Sequence, residues 1–323
     1  MRTLPLFAAA LIVAACTAVQ RPQPELLLRF SDYPELEHSH NVQGCAVFDG
    51  LLFSMQDKGW CNVFDLETHE FAAQFPLGSY GGQNHANVAF FGPYRYDSKD
   101  KFPLLYVSQC KSKPVEEIGL AETDSLSRLL FVERILADEA GVPFGSELVQ
   151  IIHYEPAEWN SRLWIADAKR PDLIYCYGNT VGNEAPGNHI VVKTFHFPEF
   201  SADRFLVTLT DAEAVDSCYF DQLLPEGHRG PQNNILQGAA VFDGVLFLPV
   251  GTGSERHHSE VFFAGVRKHV GKYGYFDFTD AIPHEMEDFD LWGDQIVCPC
   301  NTDSAGVIYT IPFRGFLRSM IKK

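Results

Sequence analysis

The sequence predicts an all-β fold, a five-bladed β-propeller closed by an N-terminal strand, and three observations carry that expectation. A hairpin motif is written twice, short strand-like runs alternate with turn residues along most of the chain, and the last group of strands is one strand short. The motif comes first: "NVQGCAVFDGLLFSMQD", residues 41 to 57, returns as "NILQGAAVFDGVLFLPV", residues 234 to 250. Each copy reads as a strand, an Asp-Gly turn and a second strand, with Asp49-Gly50 and Asp243-Gly244 at the turns. Two further runs after the first copy, Cys61 to Leu66 and Phe71 to Phe75, complete one four-stranded antiparallel sheet. Radial repetition of such sheets leaves few exposed edges, which is the propeller solution.

Taken in order, the first blade spans residues 43 to 77, and a second begins at "NHANVAFFG" and continues through "PLLYVSQC", "SRLLFVERIL" and "ELVQIIHYE". A third draws on "RLWIADA", "DLIYCYG" and "HIVVKTFHF", with no obvious innermost strand, and residues 201 to 233 read as a partly helical insertion. The fourth runs from Gln237 to about Ala281. The fifth has only "EDFDLWG", "QIVCPCN" and "VIYTIPF", so the orphan strand "ELLLRF", residues 25 to 30, is expected to pair outside it and close the ring. A sixth blade would need another sheet between residues 155 and 236. Residues 25–323 are thus expected to form a single propeller domain.

The 323 residues, 46% hydrophobic, suffice for a large core, and 26 Phe, 25 Gly and 19 Pro spread along the chain suit many strands joined by turns. The net charge of −17 and the lack of a Lys/Arg run argue against nucleic acid as a partner. The N-terminus "MRTLPLFAAALIVAAC" has one early cation, a short apolar stretch and small residues before Cys16. It resembles a bacterial lipoprotein signal, which implies removal of residues 1–15, lipidation of Cys16 and a tether over residues 16–24. No Asp follows the cysteine, so the expected location is the outer membrane. The remaining cysteines are odd in number, and Cys298-Pro299-Cys300 lacks a second pair with zinc-ligand spacing, so no metal site is expected. Calcium held by Asp and Asn side chains with carbonyls in the channel stays open.

In a propeller the entries to the innermost strands and the loops after the second strands gather at one mouth of the central channel. That places Gln43, His85, Asn87, Gln237, Glu287 and Asp288 together, ringed by Asp57, Lys58 and Trp60, by Gln109, Lys111 and Lys113, by Arg256, His257 and His258, and by Asn301 and Asp303. Trp159, Asp167 and Lys169 join from the third blade. Ligand binding is assigned to Gln43, Lys58, Trp60, His85, Asn87, Gln237, Arg256 and Glu287, with His85, Glu287 and Asp288 as candidates for acid–base work. Amides and carboxylates suit hydroxyl-rich ligands, and Trp60 or Trp159 offers a face for a sugar. The expected function is binding of a small polar ligand, a glycan above all. The alternative is an enzyme: a uronate lyase with His85 as base, Lys58 or Arg256 neutralising the acid and Asn87 orienting it.

The run Gln-Gly-hydrophobic-x-Phe-Asp-Gly-x-Leu-Phe, followed at the second copy by Gly251-Thr252-Gly253-Ser254, resembles the first blade of the propeller-type glutaminyl cyclases (glutamine cyclotransferases). The resemblance covers some twenty residues and the blade plan. It implies five blades and a cyclotransferase-like activity, with Glu287 or Asp288 moving the proton and Gln237 positioning the substrate amide. The family's Phe-Gly-Glu-Gly segment is replaced here by "GGQNHANVAFFG" after blade one and "EMEDFDLWG" after blade four. The whole chain also resembles uncharacterised bacterial propeller lipoproteins.

Overall fold

The computed structural model describes residues 21–81, 84–109, 129–155, 159, 163–224, 227, 229–267, 272–319 and 321–322. Cys16, Lys111 and Lys113 lie outside them. The fold is all-β. In chain order the elements are β1 (Glu25–Arg29); β2 (Val42–Phe48), β3 (Leu51–Gln56), β4 (Trp60–Asp65) and β5 (Phe71–Pro76); β6 (Val88–Phe91), β7 (Leu105–Ser108), β8 (Leu130–Ala137) and β9 (Pro143–Tyr154); β10 (Leu163–Asp167), β11 (Arg170–Asn179) and β12 (Ile190–His196); β13 (Leu206–Leu209) and β14 (Ala214–Tyr219); β15 (Ala240–Phe242), β16 (Val245–Val250), β17 (Glu260–Gly265) and β18 (Lys272–Asp277); β19 (Glu285–Met286), β20 (Asp290–Trp292), β21 (Gln295–Asn301) and β22 (Val307–Pro312); then α1 (Phe313–Ser319) and β23 (Ile321–Lys322). No helix among the described residues is long and apolar enough to cross a membrane.

The β2–β3 and β15–β16 hairpins form because their two-residue turns are short and chemically specified. Asp49 and Gly50 adopt φ of 51° and 78°, and Asp243 and Gly244 adopt 50° and 72°. Two consecutive left-handed residues make the hairpin turn whose twist matches its strands, and an Asp-Gly pair tolerates it. The resulting runs are β2-β3-β4-β5, β6-β7-β8-β9, β15-β16-β17-β18 and β20-β21-β22. β1 pairs antiparallel with β22 through Glu25–Thr310 and Arg29–Val307, so the two ends of the chain share one sheet. Phe30, just beyond β1, is 1% exposed and stacks on Phe64 of β4. Of the expected tether, Pro22 is buried, and a Cβ at Gly315 would meet its ring at 2.7 Å.

The stretch read as a partly helical insertion is instead two strands with short 3-10 turns after them. β13 adds parallel to β9, and β14 adds antiparallel to β12, so the chain leaves one sheet and finishes another. Neither segment is buried on both faces. β14 alternates half-buried and exposed residues, a pattern that polar Asp216 and Ser217 blur in sequence. β10 lies in the run "RLWIADA" of the sequence; it starts the third group by pairing with β11, and it makes one parallel bridge, Asp167 to Val241, onto β15.

The sheets meet edge to edge through their first strands. β2 packs on β6 and on β20, β6 on β10, and β10 on β15. Gly238 N–H bonds the Glu287 carbonyl at 2.7 Å, which joins the segment before β15 to that before β20. Among the described residues four apolar clusters fill the spaces between sheet faces; Phe53, Phe102 and Phe131 lie in one, and Phe247, Phe263 and Phe316 in another. The large Phe content is therefore spent on sheet-to-sheet packing.

Candidate functional site

The first strands converge on one carboxylate. Asp288 is fully buried, and its Oδ2 accepts the main-chain N–H of Cys45 and of Ala89, each at 3.0 Å, while Oδ1 accepts that of Ala239 at 3.0 Å. The N–H of Phe289 adds a fourth bond. Burial pushes the Asp288 carboxyl well up from the carboxylate range, and these main-chain bonds pull it partly back. A side chain whose oxygens are all taken by backbone donors has no access to a substrate, so Asp288 is a structural knot and not a proton carrier.

This knot accounts for the repeated motif. Gln43 stands two residues before Cys45, Asn87 two before Ala89, and Gln237 two before Ala239, so all three lie on the same side of the carboxylate. The glycines between them are needed for contact. A Cβ on Gly44 would come within 2.8 Å of the Ala86 carbonyl oxygen, and one on Gly238 within 2.2 Å of Asp288 Oδ1. Gly44 N–H bonds Ala86 O at 2.8 Å, which repeats at one sheet junction what Gly238 does at the other.

Above the knot the side chains form a buried polar row. Asn87 Nδ2 donates to Gln43 Oε1 at 3.4 Å, Gln237 Nε2 donates to Glu285 Oε1 at 2.6 Å, and Asn301 Nδ2 donates to Glu287 Oε1. Glu285 and Glu287 stand two apart, close enough for their carboxyls to interact. Burial first, and the neighbouring Glu285 carboxylate second, push the Glu287 carboxyl well up, so it holds a proton where ordinary carboxylates have lost theirs. The row opens through Glu285 and Asn301 into a polar cleft of about 620 Å³, whose walls include Arg29, Asn41, Thr252 and His284. His284 is held below the usual imidazole range by burial and then by Arg29.

A second polar group borders the same region. His85 Nδ1 lies 2.7 Å from Asp57 Oδ1, and Asp57 N–H bonds the carbonyl of Asn41 on the cleft wall at 2.9 Å. Lys58 N–H bonds Asn84 O at 2.6 Å, and Asn84 in turn accepts the Ala86 N–H. Lys58 and Ala86 both have positive φ, 71° and 46°, an unfavourable backbone region that the interlocked loops enforce. Lys58 is exposed. Trp60 stacks on His38 at 3.9 Å and meets Tyr80 edge-on, so one of its faces is already covered.

The side chains of most remaining expected residues are engaged with other partners. Trp159 is 8% exposed and packs on Tyr154, which removes it as a sugar platform. Gln43 stands at the start of β2, whereas Asp167 ends β10. Its carboxylate accepts the N–H groups of Lys169, Asp243 and Gly244. Arg256 and His257 reach Glu184, and His258 bonds Asp277. Gln109 is buried beside Ser108, with its N–H on Leu129 O. One histidine–carboxylate group converges among the described residues: His258, Glu260 and Asp277 place their ligand atoms within 4.8 Å of one another. Glu260 there is already held by Asn234 and Tyr275, and Asp277 by Thr279.

The sequence reading missed Glu285, Arg29, Asn41 and His284. Glu285 was visible in principle, since Glu-x-Glu on an extended segment puts both carboxyls on one face. Arg29 was not, because its place in the cleft depends on β1 pairing at the other end of the chain.

No protein-family model matches the chain, and no curated protein matches it. Among solved structures, the computationally designed Ika8 protein is 10% identical with a TM-score of 0.34, over 85% of this chain and 98% of that one. Raptor of Chaetomium thermophilum is 8% identical with a TM-score of 0.41, over 91% of this chain and 29% of that one, so this chain spans less than a third of it.

Proposed function

We propose that the chain is a five-bladed β-propeller that binds a small, uncharged, hydroxyl-rich ligand, a glycan, at the mouth lined by Glu285 and Asn301, with Gln237 behind them bonded to Glu285. The supporting observation is the row of amides and carboxyls that opens into the 620 Å³ cleft. Its donors and acceptors are interspersed, as hydroxyl groups require, and the Arg29 cation is matched there by Glu285 and Asp303. A thermal-shift screen of mono- and oligosaccharides, followed by calorimetry, tests the reading. Asn301→Ala should weaken any hit at least tenfold. Absence of any glycan hit, or hits indifferent to Asn301→Ala and Gln237→Ala, would overturn it.

The His85–Asp57 pair favours a second reading, an enzyme at the same mouth. A carboxylate on Nδ1 fixes the ring and leaves Nε2 to take a proton, as a lyase acting on acidic sugars requires, with Lys58 to neutralise the uronate. Rising absorbance from unsaturated uronate on a polyuronate supports that activity; ammonia release from an N-terminal glutamine peptide supports the cyclotransferase-like one with Glu287 as the acid. Lipid attachment at Cys16 and an outer-membrane location complete the proposal. Incorporation of labelled palmitate, lost in Cys16→Ala, tests them.

A further inference from the structure

The first strands of the sheets run past Asp288 and end on the opposite side of the molecule, where they line a second, partly open pocket of about 310 Å³. All five contribute: Phe48 from β2, Phe91 from β6, Ile165 from β10, Val241 from β15 and Leu291 from β20. The lining is apolar except for two carboxylates. Asp167 is occupied by three main-chain donors. Asp290 is not: Oδ2 accepts Val47 N–H at 2.6 Å and Oδ1 accepts Leu291 N–H at 2.7 Å, leaving each oxygen a further lone pair. No Lys or Arg pairs with Asp290 among the described residues. The nearby cations face aromatic rings instead, Arg95 at 5.8 Å over Phe48 and Lys169 at 5.4 Å over Phe242. Asp288 sits two residues behind, sealed by its own main-chain donors.

We propose that this pocket binds a small apolar molecule carrying a primary amine, with the ammonium on Asp290 and the hydrocarbon among Phe48, Phe90 and Phe91. The site is distinct from the polar mouth and independent of its ligand. A carboxylate in an apolar pocket gains from a cation that water no longer screens, and aromatic faces add to the attraction. A neutral ligand of equal shape leaves that carboxylate without a counterion. The volume is at the lower end of small-molecule sites, so the hydrocarbon is no larger than a single ring or short chain. Burial pushes the Asp290 carboxyl up to about 7. The ammonium binds the ionised form, so affinity rises as pH rises toward 7, levels above it, and falls about tenfold per unit below it.

Calorimetry on the full chain with benzylamine and its neutral counterpart benzyl alcohol tests this. At pH 8 benzylamine should bind at least tenfold more tightly, and the advantage should vanish at pH 5.5 and in Asp290→Asn. Should Asp290→Asn fail to fold, Ala166→Leu, which fills the pocket from β10, carries the test and should abolish benzylamine binding while the circular dichroism spectrum is unchanged. No heat with millimolar benzylamine, equal affinity for the two probes, or unimpaired binding by folded Ala166→Leu would overturn the proposal. Glycan binding at the mouth should proceed unaltered in Ala166→Leu, so failure at either site is separately visible.

Discussion

Replacing Asp288 by alanine removes the acceptor for three N–H groups that belong to three other strand groups, those of Cys45, Ala89 and Ala239. Each becomes a buried donor without a partner, at a cost of about 1–3 kcal/mol. Three of them sum to roughly 3–9 kcal/mol, offset in part because the carboxyl no longer has to be buried. A net loss of about 4 kcal/mol is a large share of the 5–15 kcal/mol typical of a folded domain. Asparagine keeps one oxygen, so Asp288→Asn retains some bonds and should lose about half as much. The assay is urea unfolding followed by tryptophan fluorescence, comparing midpoints at constant slope. The sign of the pH effect follows from the raised carboxyl. The folded state holds the Asp288 proton to higher pH than the unfolded chain does, so this group's contribution is full below the unfolded carboxylate range and declines as pH rises through the folded value. Substitution should therefore flatten the decline of stability with rising pH. An alanine variant within about 1 kcal/mol of the parent would refute the knot, and with it the explanation of the repeat.

Two further outcomes follow from the same geometry. Gly44→Ala and Gly238→Ala should each destabilise by about 1–3 kcal/mol or more, since each Cβ would meet backbone or the Asp288 carboxylate, whereas Gly50→Ala at the open hairpin turn should cost only backbone strain; equal midpoints for all three variants would contradict this. Deleting the chain through residue 31 removes the β1–β22 pairing and the buried Phe30, for a loss of about 3–5 kcal/mol from the ring alone, and a truncated chain that melts like the parent would count against closure through β1.

Local features were readable in the sequence. Alternating apolar residues around Asp-Gly located β2 with β3 and β15 with β16, because a hairpin is fixed within a dozen residues by turn chemistry and pleat. The orphan "ELLLRF" was readable for a different reason: a sheet short of one strand at one end of the chain and a lone strand at the other leave few alternatives. Glu287, Gln43, Asn87 and Gln237 were placed on a common side through the strand frame; in the structure Asn87 bonds Gln43, while Gln237 bonds Glu285 and Asn301 bonds Glu287. Trp159 was misplaced because exposure of an aromatic residue after a strand depends on what packs over it, here Tyr154.

What the sequence determined by itself is the string of short strands, their tight turns and the equivalence of the two Gln-Gly-x-Ala segments. Tertiary structure alone decided that Asp288 receives the N–H groups of three distant strands, that β13 joins the sheet of β9 while β14 joins that of β12, and that Asp167 and Asp290 face an apolar pocket opposite the polar mouth. The physical reason is range. Turn and pleat preferences act between neighbours in the chain, whereas the state of a buried carboxylate is set by whichever donors the assembled sheets bring to it, and residues 45, 89, 239 and 288 carry no mutual signal until the sheets pack together.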